Sequence, residues 1–290
     1  MTVHVLGSVN IDHVYRVDHA PGPGETLADD GYAYGLGGKG ANQALAAAAA
    51  VGAVRFVGAI GAEGAWTRDR LSVGGVGVEH LAEVPEATGH AIIFVEPSGE
   101  NRIVIHGGAN QAIPEGLIAA ALGQAGPGDW WLAQNETSRV AEGFAAARAA
   151  GLRTAYAAAP FDPSATEMVL DGLDLLALNE GEAAALERHL GLGLDDLPVG
   201  QVLLTLGARG ARLITKGEAL DIPAFPVEPV DTTGAGDCFL GYALAGLDLG
   251  LPPAEAMRRA AAAAALQVTR PGAADAVPTA AEVDAFLENR

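Results

Sequence analysis

The sequence predicts an α/β protein built on a mostly parallel sheet with helices over both faces. Three observations carry that expectation. Apolar runs of strand length end at glycine, as at residues 3–6 before Gly7 and 54–60 before Gly61. Helix-prone stretches rich in alanine lie between or after such runs. The two kinds of segment alternate along the chain, and strands spaced by helices make parallel sheets covered on both sides. Half of the 290 residues are apolar, which is enough to bury a sizeable core.

In order, the expected elements are a strand at 3–6, a helix at 41–51, a strand at 54–60, and a polar turn and helix from Glu63. Later strands are expected at 130–133, 153–157, 173–178 and 201–206, with helices at 138–150, 180–190 and 235–249. Ligands in such sheets sit beyond the carboxyl ends of the strands. Two segments break the rhythm. Residues 12–37 hold short alternating runs and the Pro21-Gly22-Pro23-Gly24 stretch. Residues 88–107 read as a hairpin, with 91–96 and 102–106 flanking a turn at 97–101. Together they form a small second sheet over the main body, or else two unrelated surface loops. No repeat or long linker divides the chain, so one domain over 1–290 is expected.

Composition removes several classes of function. Seventeen basic against 36 acidic residues leave a net charge of −19, which argues against binding through nucleic-acid phosphates or anionic lipid. A lone cysteine, Cys238, excludes an internal disulfide and a cysteine-based zinc cage. The alanine-rich stretches at 44–51 and 260–266 fall short of the roughly 18–20 residues that span a bilayer, and read as soluble helices. No basic flank and apolar run mark the start of the chain, so a cytoplasmic location is expected. The histidines show no metal-ligand spacing. Lysine is confined to Lys39 and Lys216.

Three stretches carry chemistry. In Val230-Asp231-Thr232-Thr233-Gly234-Ala235-Gly236-Asp237-Cys238-Phe239, two glycines precede an apolar helical run. Backbone amides at such a helix start make an anion site, and Asp237 in the first turn can take a hydroxyl proton while the amides receive developing charge. A capping Asp after a glycine turn is the structural alternative. Gly35-Leu36-Gly37-Gly38-Lys39-Gly40-Ala41-Asn42-Gln43 also enters a helix. It is not a Walker A loop, since Gly40 follows Lys39, and no clean strand leads into it as a dinucleotide fingerprint needs. Its glycines admit close approach of a ligand, with Lys39 and Asn42 available to hydroxyl groups. Gly7-Ser8-Val9-Asn10-Ile11-Asp12 follows the first strand, and Asn10 and Asp12, two apart, point the same way in an extended segment. Cys238 reads as a small core residue, with a thiol activated by the helix start as the alternative. His106 faces either a ligand or the packing of its own sheet.

In that order, the motifs Gly-Ser-Val-Asn-Ile-Asp, Gly-Gly-Lys-Gly-Ala-Asn and Asp-Thr-Thr-Gly-Ala-Gly-Asp resemble the ribokinase-like carbohydrate kinases of the PfkB family, with similarity over about 5–287. The resemblance implies a three-layer sandwich with a mostly parallel central sheet and a β-sheet lid made by 12–37 and 88–107. It implies an ATP-dependent sugar kinase acting on the 5-hydroxyl of D-ribose. A family kinase for a nucleoside, a ketohexose or another sugar is the alternative, and a catalytically idle sugar- or nucleotide-binding module a further one.

By the same resemblance Asp237 is the catalytic base, and the amides of Gly234, Ala235, Gly236 and Asp237 the anion hole. Sugar contacts fall to Asn10, Asp12, Gly38, Lys39, Asn42 and Glu136, with Ala91, Ile93 and Ile105 as an apolar wall. Asn179 and Glu182 match an Asn-x-x-Glu motif that organises magnesium and phosphates. Thr205, Gly207, Arg209 and Gly210 line the nucleotide. Asp231, Thr233, Arg270 and Gly272 match a potassium site, and the lid pairs two subunits into a homodimer. Three positions depart from the pattern: Ala157 stands for an Asn, Ala276 for a cation-binding Ser, and residues 260–265 offer no histidine to the adenine.

Overall fold

The computed structural model describes residues 1–50, 52–97 and 101–290. The chain begins with β1 (Thr2–Leu6), β2 (Asn10–Arg16), β3 (Gly31–Gly37), α1 (Lys39–Ala49), β4 (Ala53–Ile60), α2 (Ala65–Val73), β5 (Val76–Glu83), β6 (Gly89–Val95) and β7 (Asn101–His106). Next come α3 (Leu117–Leu122), β8 (Trp130–Gln134), α4 (Val140–Ala149), β9 (Arg153–Ala157), α5 (Pro163–Leu170), β10 (Leu173–Asn179) and α6 (Glu180–Leu190). It closes with β11 (Val199–Thr205), β12 (Ala211–Thr215), β13 (Glu218–Ile222), α7 (Ala235–Asp248), α8 (Pro253–Gln267) and α9 (Ala280–Glu288).

The main sheet has nine strands in the order β13-β12-β11-β10-β9-β8-β1-β4-β5. From β11 to β5 every pairing is parallel, while β12 and β13 add an antiparallel edge. Both faces of the parallel part are covered, which is why its strands read as unbroken apolar runs: all five residues of β8 are buried. One core layer gathers residues of α1, α7 and α8, including Ala44, Ala47, Leu244 and Ala260. The opposite layer holds Ile118, Phe144, Val169 and Leu186 from α3 to α6. Strand β5, the β12–β13 hairpin and helices α3, α5 and α9 go beyond the expected set. In the hairpin the two-residue turn Lys216-Gly217, with Gly217 at φ +79°, is a local signal for reversal.

Alanine and glycine on α1 and α7 let these helices approach closely. A Cβ added at Gly241 would lie 2.6 Å from both Ala46 Cβ and the Gln43 carbonyl oxygen. Gly241→Ala would therefore force the pair apart, a change that costs about 1–3 kcal/mol in a well-packed core.

The two segments that interrupt the alternation pair with each other in a separate four-stranded sheet, ordered β3-β2-β6-β7. Strands β2 and β6 run parallel, and β3 and β7 flank them antiparallel. The sheet starts at Asn10, two residues before the expected boundary, so Asn10 and Asp12 are strand residues. A strand, β3, also leads directly into the Gly37-Gly38 turn, which corrects the expectation that none does. Its glycines at 31, 35 and 37 hide the side-chain alternation by which strands are read. The expected turn at 97–101 includes residues 98–100, and the expected first helix ends at Val51; these four residues lie outside the described ones. No helix among the described residues is long and apolar enough to cross a membrane.

Candidate active site

The loops after β1 and β8 and the first turns of α1 and α7 converge at the carboxyl end of the main sheet. Ser8 ties the first three together. Its carbonyl accepts from the Ala41 amide at 3.0 Å, and its hydroxyl accepts from the Gly40 amide at 3.2 Å. The same hydroxyl donates to Glu136 Oε2, which also accepts from the Lys39 amide at 3.1 Å. Such contact requires bare backbone. A Cβ on Gly40 would lie 2.4 Å from Gly7 Cα, and Gly38, at φ +92°, has no room for one beside the Ser8 carbonyl.

Three carboxyl groups and one lysine make the electrostatics. Burial pushes the Asp12 carboxyl up to about 6, and the charge of Glu136 adds to the effect. Burial also raises Glu136, against the opposing hydrogen bond from Ser8 and the charge of Lys39. Asp237, in the first turn of α7, is raised by burial too, while Lys39, Gln43 and Asn42 oppose the shift. Protein packs closely around this carboxylate, yet the residue keeps part of its surface open to the cleft. Its Oδ2 accepts from Asn42 Nδ2 at 3.1 Å and its Oδ1 from Gln43 Nε2 at 2.8 Å. Asn42, expected at the sugar, thus spends its amide on Asp237.

The helix start beside Asp237 is suited to an anion. Gly234 takes the left-handed conformation at φ +73°, where a Cβ would meet Ala273 and Gln267 at 3.0 Å. The amides of Gly234, Gly236 and Asp237 have no hydrogen-bond partner among the described residues, whereas the Ala235 amide donates to the Thr232 carbonyl at 3.3 Å. Three of the four expected amides are therefore available to a ligand. They border an open cleft of about 680 Å³ lined also by Lys39, Gln43, Ala157, Asn179, Glu182 and Thr205. At Thr232 and Ala235 this cleft meets a second, largely apolar pocket of about 1030 Å³. Gly207, Gly210, Phe225, Val227, Phe239, Ala264 and Ala265 line it.

The remaining expected residues fall in several places. Arg209 does not line either pocket: the turn at Gly207–Arg209 sends its exposed guanidinium to Glu180. Asn179 and Glu182 form a reciprocal capping box on α6, at 2.9 and 2.8 Å. Ala91 lies opposite Asp12 and Ile105 opposite Ala91 in the small sheet. With Ile93 two residues on, all four share one face. Ala91 is buried there, while Ile105 is 53% exposed. His106 pairs with His90 on the opposite face, away from Asp12. Cys238 is fully buried and burial pushes its thiol up, so it is a core residue.

Asp231 joins two loops by accepting from the amides of Thr233 and Gly272, each at 2.9 Å. Burial would raise this carboxyl, but those bonds outweigh it and hold it below its usual range. The Thr233 carbonyl accepts from Gln267 Nε2 at 3.0 Å, and Ala276 presents only a buried methyl. Carboxylate and carbonyl oxygens suit a hard monovalent cation, and with Ala276 the set is one hydroxyl short.

Four polar residues of the site carried no role in the sequence reading: Ser8, Gln43, Asn110 and Gln134. Asn110, 1% exposed, donates to Asn10 Oδ1 at 2.8 Å and fixes that side chain. Gln43 adjoins Asn42 in the glycine motif. Gln134 closes an otherwise apolar strand, a polar residue where burial demands a partner.

This fold, with partner-free amides at a helix start, a neighbouring carboxylate and an apolar pocket, has the parts a phosphoryl-transfer enzyme needs. Residues 2–280 match the pfkB family carbohydrate kinases, and the chain belongs to that family. It is 36% identical to a ribokinase of Haemophilus influenzae, with 99% of each chain covered. Among solved structures, a ribokinase from Thermotoga maritima superimposes with a TM-score of 0.87 at 34% identity, covering 99% of both chains. An Arabidopsis thaliana ribokinase complexed with ribose and ATP gives 0.85 at 30% identity, covering 99% of this chain and 98% of that one. The chain is an ATP-dependent sugar kinase of ribokinase fold.

Proposed function

We propose that the protein transfers the γ-phosphoryl group of ATP to the 5-hydroxyl of D-ribose, with Asp237 as general base. The observation that carries this reading is the placement of the Asp237 carboxylate beside the partner-free amides of Gly234, Gly236 and Asp237. Asp237 takes the hydroxyl proton as the oxygen attacks, and the amides receive the charge that spreads over the transferring group. Asn10, Asp12, Gly38, Lys39 and Glu136 offer fixed donors and acceptors to the sugar, and Ala91, Ile93 and Ile105 an apolar wall. The base of ATP fits the apolar pocket, with Gly207 and Gly210 at its edge and Thr205 toward the phosphates.

In this reading the small sheet is a lid within a single domain, and it excludes water that would otherwise take the phosphoryl group. Its outer face exposes Tyr32, Tyr34 and Val104, which supports pairing with a second copy; a monomer in light scattering would remove this part. Magnesium fits the cleft as an ion held mainly by phosphate oxygens and water, near the carboxylates of Glu182 and Asp237, and it neutralises phosphate charge when bound. Potassium would be held by Asp231 with carbonyl groups of Thr233, Arg270 and Gly272. A flat response of kcat to KCl would remove it. Use of ATP as donor supports a cytoplasmic location.

A coupled assay of ADP release with ribose, nucleosides and ketohexoses tests the substrate. Ribose is expected to turn over fastest, and a much faster rival would overturn the assignment. Asp237→Asn should lower kcat by about 10²- to 10⁴-fold while calorimetry still detects ribose binding. Substantial turnover in that variant would remove Asp237 from the base role.

A further inference from the structure

We propose that Gln134 and Gln43 form a positioning relay, in which Gln134 orients the Gln43 side chain so that its nitrogen, not its oxygen, faces the Asp237 carboxylate. The inference rests on Asp237 being the base. Gln134 Nε2 donates to Gln43 Oε1 at 2.7 Å, and Gln43 Nε2 donates to Asp237 Oδ1 at 2.8 Å. Both glutamines are buried, at 0% and 1% exposure.

The two ends of an amide have nearly the same shape, so packing alone does not choose which end Gln43 turns to Asp237. Hydrogen bonding does. An ionised carboxylate only accepts, which requires the Gln43 nitrogen there and sends its oxygen toward β8. A buried carbonyl without a donor costs about 1–3 kcal/mol, and Gln134 supplies that donor. With Gln134 gone, Gln43 could reverse and set an oxygen against the carboxylate.

The arrangement carries its own expense. Gln134 Oε1 and Asn42 Oδ1 are buried with no hydrogen-bond partner among the described residues. Both amides spend their donors toward Asp237, one directly and one through Gln43, and leave an acceptor unsatisfied. A purely structural polar cluster gains nothing from that asymmetry; a cluster that clamps both oxygens of a base does. The tight seat of Gly241 against the Gln43 backbone holds α1 at the distance the relay needs. The hydrogen bond from Gln43 also opposes the effect of burial on Asp237, because it favours the ionised carboxylate.

Gln134→Met, which keeps the volume and removes the donor, tests this in the full-length enzyme with ribose and ATP. The expected result is a fall in kcat of about 10- to 100-fold with both KM values within about threefold. The acidic limb of the kcat–pH profile should move to higher pH, since the base then holds its proton more tightly. Gln43→Met, on α1 instead of the central strand, carries the same expectation and serves if the first variant does not fold. In an Asp237→Asn background, Gln134→Met should change nothing further. If Gln134→Met and Gln43→Met keep the wild-type kcat and pH profile while Asp237→Asn is inactive, the relay is wrong and the base stands. If Asp237→Asn remains active, the base reading falls and the relay with it.

Discussion

On one side of Asp237 lie Asp12, Glu136, Lys39, Asn10 and Asn42, a polar, partly buried cluster in which hydrogen bonds fix Glu136 and both asparagines. On the other side, the wall of the apolar pocket is made of Phe225, Val227, Phe239, Ala264 and Ala265. The first region strains against its own charge: Asp12, Glu136 and Asp237 are all raised by burial. The second, as the proposed seat of the nucleotide base, would gain affinity by removing apolar surface from water, at about 25 cal/mol per Å². A sugar presents hydroxyl groups at fixed angles, so it is read by fixed polar partners. A nucleotide base presents two flat faces, so a smooth apolar slot suffices. The net charge of −19 sharpens the contrast, because no broad basic surface draws ATP in. In the proposed reading its phosphates would be met by local devices, the amides at the start of α7 and a magnesium ion.

Breaking the polar side should have the larger effect. Asp12→Asn is expected to lower kcat/KM for ribose by about 10²-fold, the scale of a lost charged hydrogen-bond partner. It should also stabilise the protein. The Asp12 carboxyl stands near 6 in the folded chain against an ordinary 3.8. A raised carboxyl favours folding below its ordinary value, and that contribution is lost as pH rises through 6. The variant should therefore melt higher than the wild type at about pH 8, with the difference gone near pH 4 by calorimetry. In the wild type, ribose KM should rise as pH falls through 6, where the carboxylate gains its proton.

Filling the apolar side should act on the other substrate. Ala264→Leu projects three more carbons into the pocket and should raise the KM for ATP about tenfold, an effect near 1.4 kcal/mol, with ribose KM unchanged. Equal changes in both constants would show that the two regions are not independent. The smallest effect is expected at their edge. Glu182→Gln keeps the capping box, so stability should change by less than about 0.5 kcal/mol. A severalfold higher magnesium requirement would then assign the charge to the phosphates, while unchanged kinetics would leave Glu182 a cap alone.

Asn179 and Glu182 also show what local sequence conveys. An Asn three residues before a Glu at a helix start is a capping box by spacing alone, whatever else it does. Arg209 shows the reverse: its partner Glu180 lies 29 residues earlier, and only the packed turn decides that the guanidinium turns away from both pockets. His106 is similar, since a strand alternates faces but does not say which face meets the ligand until Ala91 is seen opposite Asp12.

By itself the sequence determined the alternating parallel architecture, because strands covered on both faces must be apolar throughout. It also conveyed the glycine-rich start of α7, because Gly234, Gly236 and Asp237 fall within one turn. The partners of that aspartate were decided only by tertiary structure. Gln43 and Gln134 reach it from 194 residues away in the chain and, through Gln43, from a strand 91 residues further on. Such contacts follow from the close approach of α1 to α7 over Gly241 and the pairing of β8 beside β1, and burial makes every polar group in them find its partner or go without.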